Sequence, residues 1–355
     1  MRVSPLAIVR SAREYALDAL VPGSSWDELH AIAASMPECA SSVGFECRLA
    51  GEQAVDLGFS VSRSQAGAAA LGGRLADPLL EQAIADPCWR RLRDFAHDWS
   101  AAASPLATRV PFLFLEVDAG DHAAAIPVPS VFLGLDWLLS ELAEADGAQS
   151  VLALDEVLAA ASSLRSGRFD ARTVDAARYC FSSLPPGGVL LHAGVMLARR
   201  GESLRLSVVV PRAQHGAYLS AIGRENCARA LAAVIERYAA CAGFEHPGSQ
   251  VQLDFDPASA DTRVGLTLRP TDYRAWPALL RGLVEDGLCE PIRAAGLLRW
   301  SGASLEQIDE GQPPCPVART IEHVKLVCQE GRLAGAKAYF GATPRWPAAM
   351  AVDER

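Results

Sequence analysis

The chain has 355 residues, half of them hydrophobic and 21% charged, a balance that suits a packed globular fold and excludes a disordered one. Its formal net charge of −9 excludes the broadly basic surface that general nucleic-acid and anionic-membrane binders need. The nine cysteines are odd in number, scattered and without a Cys-x-x-Cys pair, which argues against structural zinc or a disulfide framework and for a reduced, cytoplasmic setting.

The opening MRVSPLAIVRSAREYAL breaks its apolar run with Arg10, Arg13 and Glu14, so it reads as an amphipathic helix rather than a signal peptide. No later apolar run approaches the roughly 20 residues of a membrane span. Helical signals cover 5–38, with Ser24, Ser25 and Glu28 opening a second segment. Period-two alternation follows at 43–49 and 55–61. In Val43-Gly44-Phe45-Glu46-Cys47-Arg48-Leu49 the odd positions are mostly apolar, while Glu46 and Arg48 share the other face.

The same sequence of events repeats along the chain. One or two helices are predicted over 64–100, broken near Asp86-Pro87, then a hairpin at 110–118 and 128–134. Two helices over 135–182 lead to strands at 189–198 and 204–210. A helical pattern over 214–243 precedes strands at 251–256 and 263–269. Further helices over 271–311, with Trp276, Leu279, Leu280 and Leu283 on one face, and a Pro-rich loop at 312–317 lead to a last hairpin at 321–328 and 335–341.

Five hairpins separated by helical connections suggest one α-β-β-α unit used five times, with no linker dividing the chain. The expectation is an α+β protein over residues 1–355 as a single domain: a ten-stranded antiparallel β-barrel of five α-β-β-α repeats, polar lumen inside and helices outside. An open sheet with helices on one side is the alternative that alternation leaves standing.

By parity, the inner face carries Glu46, Arg48, Asp56, Phe112, Phe114, Glu116, Asp118, Phe132, His192, Arg205, Asp254, Asp256, Arg263, Arg269, His323, Lys325, Lys337 and Tyr339. Charges mixed with aromatics suit a cavity for an organic ligand with an ionic group. Lys325 and Lys337 stand on neighbouring strands with Tyr339 two residues on, a patch able to grip phosphate oxygens or a pair of solvated lysines. Arg205, Arg263 and Arg269 join the patch if the barrel closes. Glu46 can accept a proton from a ring substrate, or form a salt bridge to Arg48 or the next strand. The pairs Glu116/Asp118 and Asp254/Asp256 can hold Mg²⁺ or be balanced by arginines. His192 and His323 have no metal-ligand spacing, and a structural hydrogen bond is expected for each.

Two stretches carry a family resemblance. Gly44-Phe45-Glu46 resembles the early strand glutamate, and Ala336-Lys337-Ala338-Tyr339-Phe340 the Lys-x-Tyr strand signature, of the aromatic prenyltransferases of the α-β-β-α barrel class. That resemblance implies a transferase moving an allylic isoprenyl group from its diphosphate to an electron-rich aromatic acceptor, indole or phenol in type, free or in a peptide. It implies Glu46 as the catalytic base, and Lys325, Lys337, Arg205, Arg263 and Arg269 on the diphosphate. Tyr339, Phe112, Phe114 and Phe132 would surround the allyl cation. No cofactor or metal is required, though Mg²⁺ can assist. The competing reading is a non-transferase barrel of a natural-product pathway that binds or tailors a peptide or aromatic metabolite, since fold alone does not set function. One full basic-x-Tyr copy, where such barrels usually show several, favours the competitor.

Overall fold

The computed structural model describes residues 3–51, 54–63, 66–107, 109–120, 126–135, 147–197, 199, 203–242, 250–259, 263–270, 272–308 and 313–345. Ten strands close into an antiparallel barrel: β1 (Ser42–Arg48), β2 (Val55–Ser62), β3 (Phe112–Val117), β4 (Ser130–Gly134), β5 (Val189–Val195), β6 (Leu204–Pro211), β7 (Gln250–Phe255), β8 (Val264–Leu268), β10 (Cys315–Gln329) and β11 (Arg332–Pro344). Each pairs with the next, and β11 returns to β1 with Glu46 opposite Tyr339 and Arg48 opposite Lys337. Closure removes the open sheet edges that a ten-stranded ribbon would expose.

An eleventh strand, β9 (Gly302–Glu306), lies where helix was expected over 271–311. It pairs with Cys315–Arg319, so β10 starts inside the stretch predicted as a Pro-rich loop. Gly-Ala-Ser-Leu-Glu alternates over only five residues and leaves its apolar Ala303 and Leu305 exposed, and it forms because an overlong β10 offers a free edge beyond its pairing with β8. The β10–β11 hairpin is correspondingly longer than predicted. Its two-residue turn, Glu330-Gly331, has φ of 51° and 78°, the twist-matched geometry of tight hairpins.

The helices occupy the connections: α1 (Pro5–Arg13), α2 (Trp26–Ser35), α3 (Ala66–Leu71), α4 (Pro78–Ala83), α5 (Pro87–Ser100), α6 (Gly147–Ser163), α7 (Ala171–Ser182), α8 (His215–Ala221), α9 (Glu225–Tyr238), α10 (Trp276–Glu285) and α11 (Pro291–Trp300). The stretch 64–100 holds three helices rather than one or two. The Asp86-Pro87 break is a helix start, with Asp86 accepting from the Cys88 N–H at 2.7 Å and Pro87 in the first turn. Trp276, Leu279, Leu280 and Leu283 are all buried on α10. No described helix is long and apolar enough to cross a membrane.

Along β2, residues alternate strictly between buried and half-buried. The buried set faces the helices, and the half-buried set faces the lumen. On the outside of the closing seam, Phe45 of β1 and Phe340 of β11 stack at 5.3 Å. Trp26 of α2 meets Phe45 at 6.0 Å, and Trp300 of α11 meets Phe340 at 5.1 Å. Four buried rings thus fasten the first and last strands under two helices. Phe340→Ala is expected to cost about 3–5 kcal/mol of unfolding free energy, the usual loss for a buried Phe, measured by urea denaturation.

Candidate functional site

The seam sets the inner corner. Glu46, 7% exposed, pairs with Lys337 across β1–β11 and lies opposite Asp56 on β2. Next along β11, Tyr339 contributes a hydroxyl to the same carboxylate and stacks on His323 of β10 at 4.2 Å and 15°. Lys325 Nζ sits 5.0 Å above the Tyr339 ring and donates to Asp254 Oδ2 at 2.7 Å, while Arg205 Nη1 lies 3.6 Å from that oxygen. Both lumen histidines come directly after a bulge, between Leu190 and His192 on β5 and between Ile321 and His323 on β10. Bulges re-aim side chains in this way near functional sites.

Burial opposes ionisation of Glu46, but the charges of Lys337 and Lys325, with hydrogen bonds from Lys337 and Tyr339, hold it below the usual carboxylate range. Asp254 is likewise pushed up by burial and brought lower overall by Lys325 and Arg205. Lys325 loses by burial and gains more from Asp254 and Glu46, so it stays charged. Glu116 behaves differently. Burial and the nearby Glu46 charge push it up to about 7, although Arg199 lies 3.3 Å away. Arg199 gives its two shorter bonds, 2.7 and 2.8 Å, to Asp118, which leaves Glu116 undercompensated. Asp56 is raised to about 6, chiefly by burial.

A cavity of about 140 Å³ is lined by Arg205, Asp254, Asp256, Arg263, Lys325 and neighbours. Within this corner Asp254 Oδ1, Arg205 Nε and Thr267 Oγ1 are buried with no hydrogen-bond partner among the described residues, so bonding capacity is left for a guest.

The structure therefore brings Glu46, Lys325, Lys337, Tyr339 and Arg205 into the lumen, within one network of pairs. Arg263 precedes β8 at the cavity rim and reaches Gln329 at 3.1 Å. Arg269 does not join: β8 ends at Leu268, and the Arg269 side chain is 71% exposed, 3.9 Å from Glu322. Phe112 and Phe114 meet edge-on at 5.0 Å on β3, with His192 5.6 Å from Phe114. Phe112 and Phe132 lie over Gly134 and Gly194, and Phe114, 37% exposed, is the ring left open to the lumen.

The histidines are held by these ring contacts, where a structural hydrogen bond was expected. The acidic pairs face cations, Glu116/Asp118 toward Arg199 and Asp254 toward Lys325 and Arg205, while Asp256 accepts from the Ala258 and Ser259 N–H groups. Among the described residues no group of three or more His, Cys, Asp or Glu is placed to hold a metal ion. Arg199 was missed by sequence reasoning because it follows β5 outside any alternating run.

No protein-family model matches the chain, and no curated protein matches it in sequence. Solved structures do match in shape. A 6-dimethylallyl tryptophan synthase superposes with a TM-score of 0.55 at 13% identity, over 98% of this chain and 99% of that one. The 5-dimethylallyl tryptophan synthase of Streptomyces coelicolor, in complex with DMASPP and Trp, gives 0.51 at 14%, over 99% and 100%. AnaPT from Neosartorya fischeri gives 0.51 at 12%, over 86% and 78%. The chain has the aromatic prenyltransferase barrel fold.

In a barrel of this kind the charge of Glu116 matters to any anionic guest. Below pH 7 it is mainly neutral, and above pH 7 it adds a negative charge to the lumen. Compared with Glu116→Gln, the wild type is expected to lose about 3–10-fold in affinity for inorganic diphosphate, taken as an anionic probe, between pH 6 and pH 8, as one more charge at several ångströms predicts. Calorimetric titration of both proteins at the two pH values measures the difference.

Proposed function

We propose that the barrel transfers an allylic isoprenyl group from its diphosphate to an electron-rich aromatic ring, indole or phenol in type, free or within a peptide. The observation that carries this reading is the buried corner where Lys325, Lys337, Tyr339 and Glu46 meet. The DMASPP and Trp in the Streptomyces coelicolor structure support it by fold analogy.

Lys325, Lys337 and Arg205 would take the diphosphate, with Arg263 at the rim. The allylic C–O bond breaks and the diphosphate leaves with the electron pair, its charge met by the ammonium groups. The Tyr339 ring already receives a cation on its face at 5.0 Å, as the allyl cation requires. Phe114, with Phe112 and Phe132 behind it, would screen the opposite wall from water. A ring carbon supplies the electrons for the new bond, and Glu46 takes the ring N–H or O–H proton.

Partner exchange arms that base. When the diphosphate draws Lys337 away, Glu46 loses the charge that holds it low, and its proton affinity rises. No cofactor from the chain is needed. Mg²⁺, where it takes part, would enter with the diphosphate.

One observation favours the non-transferase reading: Lys325, Lys337, Arg205 and Arg199 all have carboxylate partners, so an anion must displace them. Thermal unfolding with dimethylallyl and geranyl thiolodiphosphates separates the two. At 100 times its Kd an analogue should add about 2.7 kcal/mol of stability, whereas no shift with either rejects the transferase. Glu46→Gln should still bind the analogue yet lose 100-fold or more of product formation, followed by mass spectrometry with aromatic acceptors.

A further inference from the structure

One buried carboxylate of the lumen has no part in the proposed transfer. Asp254 on β7 is 7% exposed, and its charge is held on Oδ2 by Lys325 Nζ at 2.7 Å and Arg205 Nη1 at 3.6 Å. Its Oδ1 has no hydrogen-bond partner among the described residues, and neither has the hydroxyl of Thr267, a residue 5% exposed. Register places Asp254 opposite Gly265 on β8. Thr267 stands two residues along that strand, between Gln252 and Lys325. On the other side of Asp254 is Ser207 of β6, whose hydroxyl accepts from Gln252 Nε2 at 2.9 Å.

Gly265 decides how this corner can change. With no side chain there, the Lys325 stem crosses it, Cδ 3.0 Å and Cγ 3.3 Å from where a Cβ would project, and so reaches Asp254. Withdrawing that stem uncovers a recess bounded by Asp254, Gly265 and Thr267, with room for an ammonium-sized group in place of the one that left. The recess opens onto the cavity of about 140 Å³ lined by Arg205, Asp254, Gly265 and Lys325. An anion entering that cavity competes for Lys325 and Arg205, the two cations on which Asp254 depends. Glu46 loses Lys337 in the same exchange but receives the ring proton. Asp254 receives nothing, and a buried carboxylate stripped of its partner is strongly destabilising.

We propose that Asp254 and Thr267 form a cation subsite, filled from the guests when an anion draws off Lys325. The proposal rests on the transferase reading for the anion, a diphosphate, and goes beyond it by requiring a positive charge among the ligands. That charge has two sources. One is the ammonium of an amine-bearing aromatic acceptor, whose three donors suit the oxygens of Asp254 and Thr267. The other is Mg²⁺ carried by the diphosphate, which needs only one or two protein carboxylates and takes its remaining oxygens from phosphate and water.

The test is calorimetric titration of dimethylallyl thiolodiphosphate and of inorganic diphosphate. Each is run with EDTA alone, with Mg²⁺, and in EDTA with tryptamine or its uncharged analogue 3-ethylindole. In the wild type one of the two cations is expected to tighten anion binding about tenfold or more, and 3-ethylindole is not. Which cation does so identifies the source. Asp254→Asn releases Lys325 and Arg205, so it should bind the anion alone at least as tightly as the wild type, with the cation effect reduced below about twofold. Thr267→Val should lower the cation effect about threefold or more, and it carries the test if Asp254→Asn melts far below the wild type. Anion binding by the wild type that ignores both cations overturns the subsite, including the case in which a proton is taken up instead. So does a cation effect that survives intact in Asp254→Asn. If inorganic diphosphate shows the Asp254-dependent effect while the isoprenyl analogue does not bind, the subsite stands and the transferase reading falls. Binding of neither anion overturns both.

Discussion

A sheet that closes on itself buries whatever its inner face carries, and here that face carries charge. An unpaired ion in such a place costs several kcal/mol, so each inward charge needs a counter-charge within reach. The Glu46–Lys337 pair meets that need across β1 and β11, the first and last strands of the barrel, whose outer sides are fastened by Phe45 and Phe340. Barrel closure and the central ion pair therefore depend on one another. Without the seam, Glu46 would face water beside its own hairpin and keep ordinary carboxylate chemistry.

Pairing of this kind is better suited to exchange than to rigidity. Asp254 holds both Lys325 and Arg205, and its second oxygen has no hydrogen-bond partner among the described residues. Arg199 satisfies Asp118 more fully than Glu116. Such a network has slack at defined points, where an incoming anion can take over a cation without stranding the carboxylate in a fully apolar place. The half-buried lumen residues are consistent with this, since water access lowers the cost of each intermediate arrangement.

The five hairpins were legible because period two is a strong signal wherever one strand face packs under helices. The chemistry was legible only by residue type. That Glu46 meets Lys337 follows from strand closure across 291 positions, and no local pattern encodes such a distance. Arg269 was misplaced because parity continues past the end of β8 while the strand does not. β9 escaped because five alternating residues are too short a run to stand out from the helical stretch before them. The bulges before His192 and His323 are likewise invisible in sequence, because one extra residue is an ordinary residue until its partner strand is known.

Neutrality of the histidines matters to the rings they touch. A protonated His323, stacked 4.2 Å from Tyr339, would place positive charge against that ring and weaken its attraction for any other cation. Burial first, then the charges of Lys325 and Arg269, drive its titration well below the ordinary histidine range. His192 falls to about 4, mainly through burial. Both imidazoles therefore stay neutral at physiological pH and leave their aromatic neighbours electron-rich. The positive charge in the lumen then resides on lysine and arginine, while the rings keep faces that attract a cation.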